Sequence, residues 1–181
     1  KILGMFPGQG SQVVGMGKEF FEQNDIARQL FADADKILGY SLSKLCLEGP
    51  LETLTLTEHA QPAILLVSTI SYLLANVPLE AAAGHSLGEY SALVASGALG
   101  FDDAIALVHK RGRYMQEAVE PGAGKMAAVM GASEEDIRAT LNEISRGVAE
   151  IANLNSPGQV VVAGDVAGID EFSLAISSKG A

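Results

Sequence analysis

Apolar residues run from Ile2 to Phe6 and stop at Pro7-Gly8-Gln9-Gly10-Ser11-Gln12. That pattern predicts a short strand leading into a loop whose glycines let the backbone come close to something. Helices are predicted next over Gly15 to Gln23 and Asp25 to Leu38, the second with Ile26, Leu30, Ala34 and Ile37 at helical spacing. Pro50 marks a turn. Thr57 is read as the cap of a long helix over Glu58 to Leu74, apolar on most sides and therefore central to the core. Asn76-Val77-Pro78 breaks that helix, and Leu79 to Ala83 is predicted as a buried strand. Glu80 and the alanines beside it are poor strand formers, and the connector is tight.

A helix is predicted from Glu89, after Gly84-His85-Ser86-Leu87-Gly88. Gly97 to Gly100 reads as a turn, and Asp102 or Asp103 starts a helix reaching about Val119. Its inward stripe reads Ala104, Leu107, Val108, Met115 and Ala118, and Arg111 falls on the same stripe. Lys110 and Arg113 point elsewhere, with Arg113 and Glu117 forming an exposed pair one turn apart.

Glu120-Pro121-Gly122-Ala123-Gly124 is the clearest boundary, which divides the chain into residues 1–122 and 123–181. Beyond it, strand is expected over Lys125 to Gly131 and helix over Ser133 to Ser145, with Ser133 as cap. Strands over Val148 to Leu154 and Gln159 to Ala163 and a helix over Asp165 to Ser178 follow. This β-α-β-β-α order is that of a ferredoxin-like unit without its last strand.

Composition narrows the classes. The 181 residues are 48% hydrophobic and 19% charged, the mix of a packed globule. A single cysteine, Cys46, excludes a disulfide framework within the chain and fits a cytoplasmic setting. His59, His85 and His109 lack metal-ligand spacing, so no metal is expected. The longest apolar stretch, Pro62 to Ala75, is too short to span a bilayer, and the beginning of the chain lacks a signal peptide's apolar region. A net charge of −10 argues against nucleic-acid binding.

Chemistry concentrates at Gly84-His85-Ser86-Leu87-Gly88. Gly-x-Ser-x-Gly between a strand and a helix is the pattern of a nucleophile elbow, in which a strained turn pushes the hydroxyl out of the backbone. The N–H after the serine, at the helix start, would face an oxyanion formed there. The plainer reading is a glycine-rich turn with an incidental serine. None of the histidines is a convincing base: His85 adjoins Ser86 in extended chain, His109 follows the inward stripe poorly, and His59 sits at a helix start. Arg111 on an apolar face needs either a structural ion pair or a cavity to reach into, because a bare buried charge is costly.

Phe6-Pro7-Gly8-Gln9-Gly10-Ser11-Gln12, Gln61-Pro62-Ala63, the Gly84 to Ala92 run, Lys110-Arg111-Gly112 and Asn153-Leu154-Asn155-Ser156-Pro157-Gly158-Gln159 occur together in this order. In this, the whole chain resembles the malonyl-CoA:acyl-carrier-protein transacylase family of fatty-acid synthesis and the related acyltransferase domains of polyketide and fatty-acid synthases. The resemblance implies an α/β-hydrolase-like core with an inserted ferredoxin-like small subdomain. It makes Ser86 the acylated nucleophile and the backbone N–H groups of Gln9 and Leu87 the oxyanion hole. Arg111 would bind the malonyl carboxylate bidentately, with Gln61 and Asn155 lining the pocket. The general base would be a histidine beyond residue 181, in a longer stand-alone enzyme. The expected partners are malonyl-CoA and acyl carrier protein, with no cofactor, and the expected state is a monomer. A serine esterase or thioesterase of similar core and a non-catalytic docking module remain the alternatives at this point.

Overall fold

Two short strands, β1 (Leu3–Phe6) and β2 (Ala81–Gly84), pair in parallel, with Leu3 opposite Ala81 and Phe6 opposite Gly84. They belong to the first of two units, Lys1–Ala118 and Val119–Ala181, in a computed structural model that describes residues 1–120 and 122–181. Of the boundary read at Glu120 to Gly124, Pro121 lies outside the described residues. Together the units form a mixed α/β chain.

Between β1 and β2 run α1 (Lys18–Gln23), α2 (Asp25–Leu38), α3 (Leu42–Glu48), α4 (Leu51–Thr55) and α5 (Thr57–Ala75). The first starts later than the apolar pattern suggests, because Gly15 and Gly17 hold φ values of 90° and 79°, outside the right-handed helix. On α2 Ala27, Phe31 and Ala34 are buried and Leu30 and Ile37 pack partly buried against the same core, while Ile26 in the first turn is exposed. No apolar period announces α3 and α4. They are short, and α3 depends on a cap, the Ser41 hydroxyl accepting from Lys44 N at 3.3 Å. Thr57 is the first helical residue of α5 and not its cap, which is Leu56.

The central position of α5 follows from its composition. Ala60 through Leu66 and Ile70 are buried among Phe31, Leu42, Leu54, Leu87, Ile105 and Val108. Each large side chain so buried contributes about 1.5–3 kcal/mol against exposure, which outweighs the helix propensity lost at Pro62 and the β-branched positions. Asn76, at φ 48°, ends the helix. The strand after it starts two residues later than predicted and is not buried: its residues alternate between exposed and half-buried. Pairing with β1 and packing against α6 (Gly88–Ala95) hold it in place despite poor intrinsic propensity. The next helix, α7 (Phe101–Glu117), is capped by Gly100 and starts ahead of Asp102.

In the second unit, β3 (Gly124–Met130), α8 (Glu134–Glu143), β4 (Ala149–Ser156), β5 (Gln159–Asp165) and α9 (Val166–Ser178) follow in order. Both strand pairs are antiparallel, in the order β3-β5-β4. Val129, Ile137, Val160, Val162, Ile169 and Phe172 form its core. Ser133 caps α8 by accepting from Asp136 N at 3.1 Å, and Asp165 caps α9 by accepting from Gly168 N at 2.7 Å.

Candidate active site

At the ends of β1 and β2 the backbones of Phe6 and Gly84 lie side by side, and His85 N donates to Phe6 O at 3.2 Å. One strand continues into Pro7 to Gln12, the other into His85, Ser86 and Leu87 before α6 begins. Ser86 holds φ at 50°, left-handed backbone that an L-residue occupies at a cost of about 1–2 kcal/mol. The glycines around it are required sterically. A Cβ on Gly84 would sit 1.9 Å from Gly88 C, and one on Gly88 would sit 2.1 Å from Phe6 O. With both glycines present the turn closes, Ser86 stays exposed, and Leu87 is buried as the N-cap of α6.

Among the described residues neither the Leu87 N–H nor the Gln9 N–H has an acceptor within the protein. Both groups leave the same end of the strand pair, Leu87 at a helix start where the dipole is positive. The Gln9 side chain is anchored separately, its Nε2 donating to Thr57 Oγ1 at 3.2 Å.

Arg111 projects from α7 and is half-buried. Its Nη1 donates to Gln61 Oε1 at 2.7 Å and its Nη2 to Ser86 Oγ at 3.0 Å, while the guanidinium carbon stands 5.7 Å from the centre of the Tyr90 ring. Gln61 is fully buried, and its Nε2 donates to Met115 Sδ at 3.3 Å, which leaves its oxygen facing the guanidinium. Among the described residues Arg111 has no carboxylate partner, so the structural ion pair considered above is not found. The inward face of α7 also differs from the predicted stripe: Ala104, Ile105, Val108 and Gly112 are buried, while Leu107, Met115 and Ala118 are exposed. Arg113 and Glu117 do form the expected exposed pair, at 3.4 Å.

His59 and His109 are committed elsewhere. The Nδ1 of His59 lies 3.0 Å from Thr53 O, that of His109 lies 3.1 Å from Glu58 O, and both rings pack on Tyr40. His85 lies against the loop, where a Cβ on Gly8 would come within 3.0 Å of its Nδ1. Cys46 offers no rival nucleophile. Burial, and then the Asp35 charge, push its thiol up to about 12 and hold it protonated.

Ser86, Leu87, Gln9, Gln61 and Arg111 thus all lie in the first unit, with Gln61, Arg111 and Ser86 joined by direct bonds. Asn155 belongs to the second unit, on β4, where its Nδ2 donates to Gln159 Oε1 at 3.0 Å. Sequence reasoning missed the contact of Tyr90 with Arg111, the sulfur of Met115 on Gln61, and the grip of Thr57 on Gln9. Tyr90, one turn beyond Ser86 on α6, carried a positional signal; the other two pairs lie too far apart in sequence to carry one. An exposed hydroxyl in contact with an arginine that lacks a carboxylate among the described residues, with unengaged N–H groups leaving the same end of the strand pair, can carry an acyl group, hold negative charge and receive an acid.

The family model described as acyl transferase domain matches residues 5–181. The chain is 46% identical over 186 positions to the malonyl CoA-acyl carrier protein transacylase of Bacillus subtilis (strain 168), covering 100% of this chain and 59% of that relative. Its structure is similar to that of the malonyl CoA-acyl carrier protein transacylase from Coxiella burnetii, with a TM-score of 0.92, 40% identity, and coverage of 98% of this chain and 58% of the other. It is also similar to a malonyl-transacylase solved in complex with its type II PKS acyl-carrier protein, with a TM-score of 0.92, 39% identity, and coverage of 98% and 59%. The chain therefore spans about 59% of the length of the curated relatives it matches.

Proposed function

The chain belongs to the acyl transferase domain family, and on that premise we propose that its protein moves a malonyl group from malonyl-CoA to acyl carrier protein. Ser86 Oγ attacks the thioester carbonyl while its proton passes to a base, and the bond to sulfur breaks to release CoA as the thiol. The phosphopantetheine thiol of acyl carrier protein then attacks the malonyl-serine ester, taking the acyl group and returning the proton to Ser86. By the family resemblance the base is a histidine outside residues 1–181. The N–H groups of Leu87 and Gln9 hold the oxyanion in both halves. Gln61 and Asn155 serve as polar lining, and the two units are the α/β-hydrolase-like core and the ferredoxin-like subdomain. The work belongs to fatty-acid synthesis in the cytoplasm. Among the described residues no helix is long and apolar enough to cross a membrane.

The observation that carries this reading is Arg111, fixed by Gln61, touching Ser86 at 3.0 Å and lacking any carboxylate partner among the described residues. A cation so placed beside an acyl-accepting hydroxyl suits a substrate whose acyl group ends in a carboxylate. Two parallel N–H···O bonds give it a geometry that lysine lacks.

The test uses the full-length protein with Arg111→Ala. Losing a charge-assisted pair should remove about 2–4 kcal/mol of preference for malonyl over acetyl, roughly 30- to 800-fold. An unchanged preference would refute the carboxylate role. In the parent, brief incubation with malonyl-CoA should add one malonyl group at Ser86 by mass spectrometry. Release of free malonate with no transfer to carrier protein would point to a thioesterase instead.

A further inference from the structure

The loop from Pro7 to Gln12 supplies one of the two proposed oxyanion donors, and its shape is largely its own. Ser11 Oγ donates to Gly8 O at 2.9 Å and Gly10 N donates to Gln12 Oε1 at 2.8 Å, both within the loop. Neither bond determines where the loop stands relative to Ser86. The side-chain tie from Gln9 to another element is the one from its Nε2 to Thr57 Oγ1, at 3.2 Å.

Thr57 is itself held. It is the first residue of α5, whose N-cap Leu56 provides no side-chain acceptor, so the Thr57 N–H is one of the helix's orphan donors. Gln116, on α7, takes that N–H on its Oε1 at 3.0 Å. One turn earlier on α7, Gly112 brings the two backbones together: a Cβ there would lie 2.5 Å from Thr57 O. The same first turns of α5 carry Gln61, which holds Arg111. One corner therefore holds the arginine on one side and the Gln9 loop on the other.

We propose that Thr57 is a positioning residue. Acting through the Gln9 side chain, and steadied by Gln116, it aims the Gln9 N–H at the oxyanion. This rests on the reading of Ser86 and Gln9 given above. The N–H engages charge that develops only during acyl transfer, so the effect should fall on rate and not on substrate binding.

Single-turnover malonylation of Ser86 in the full-length protein, followed by mass spectrometry, tests the idea. Thr57→Val keeps the shape and removes the acceptor; the rate should fall about three- to tenfold, the worth of one partly exposed hydrogen bond, with KM for malonyl-CoA within about twofold. Thr57→Ser should recover the parent rate to within about twofold. Gln9→Ala should lose as much as Thr57→Val, and the double variant no more than either, because both remove the same bond. A parent-like rate in Thr57→Val, no recovery in Thr57→Ser, or additive losses in the double variant would overturn the proposal. If Thr57→Val does not fold, Thr57→Ser and Gln9→Ala still decide it: a parent-like rate in Gln9→Ala overturns it. Ser86→Ala separates the two levels. Malonylation surviving in Ser86→Ala removes the underlying reading, whereas its loss beside a silent Thr57→Val removes only the role of Thr57.

Discussion

Gly88 is where β1, the loop that starts at Pro7 and α6 meet, and replacing it with alanine should loosen all three. A Cβ there would lie 2.1 Å from Phe6 O, 2.8 Å from Phe6 C and 2.9 Å from Pro7 O. Non-bonded heavy atoms sit comfortably at about 3.5–4.0 Å, so the overlap exceeds about 1 Å, and the obstacle is backbone with no rotamer to relieve it. The Phe6 carbonyl is also not free to turn away, since it accepts from His85 N at 3.2 Å. Overpacking of this kind costs about 1–3 kcal/mol, and breaking the His85 bond adds about 1 kcal/mol, for a total of about 2–4 kcal/mol. A loss of that size should lower the melting temperature by several degrees. Thermal unfolding of full-length Gly88→Ala, followed by circular dichroism, measures it. The control is Gly158→Ala, where nothing lies within 4 Å of the added methyl and the backbone is not left-handed. That variant should melt close to the parent. If Gly88→Ala also melts within about 2 °C of the parent, the steric account of the elbow is wrong.

Alkaline pH should weaken the first unit through Cys46. Its thiol is pushed up to about 12 by burial, above the ordinary value of about 8.5, so the stability it contributes is full below about pH 8.5 and lost progressively up to about pH 12. Melting temperature should therefore fall less steeply between about pH 8.5 and 11 in Cys46→Ala than in the parent, and parallel slopes would count against this. In the second unit, Asp165 accepts from Gly168 N at 2.7 Å and Val148 N at 2.9 Å, and Asp165→Ala leaves both donors without partners. The expected cost is about 2–3 kcal/mol, read as faster hydrogen exchange in the first turn of α9; unchanged exchange would argue against the cap.

Much of the local structure was legible because it is decided within a few residues. The glycines at 84 and 88 announce a turn that side chains would block, and the positive φ of Ser86 agrees with that steric reading. Ser133 caps α8 as its position suggested. Period alone was less reliable about direction. On α2 only Ile26 of the spaced apolar residues is exposed, whereas on α7 Ala104 and Val108 are buried as expected but Leu107 and Met115 are exposed, because the period marks a stripe without saying how much of it a neighbour covers.

Taken by itself, the sequence determined the glycine-flanked turn at Ser86, the central apolar helix and the presence of an arginine on an amphipathic helix, since sterics and helical period act over one or two turns. Only the tertiary structure decided what that arginine touches. Gln61 is 50 positions away and Ser86 is 25, and the bond from Gln9 to Thr57 spans 48. Those pairings arise because α5 and α7 pack closely and β1 pairs with β2, bringing polar groups to one corner from segments with no local reason to meet. Packing therefore brought a hydroxyl and a cation from separate segments into contact, at the strand ends from which the Leu87 and Gln9 N–H groups emerge without acceptors among the described residues.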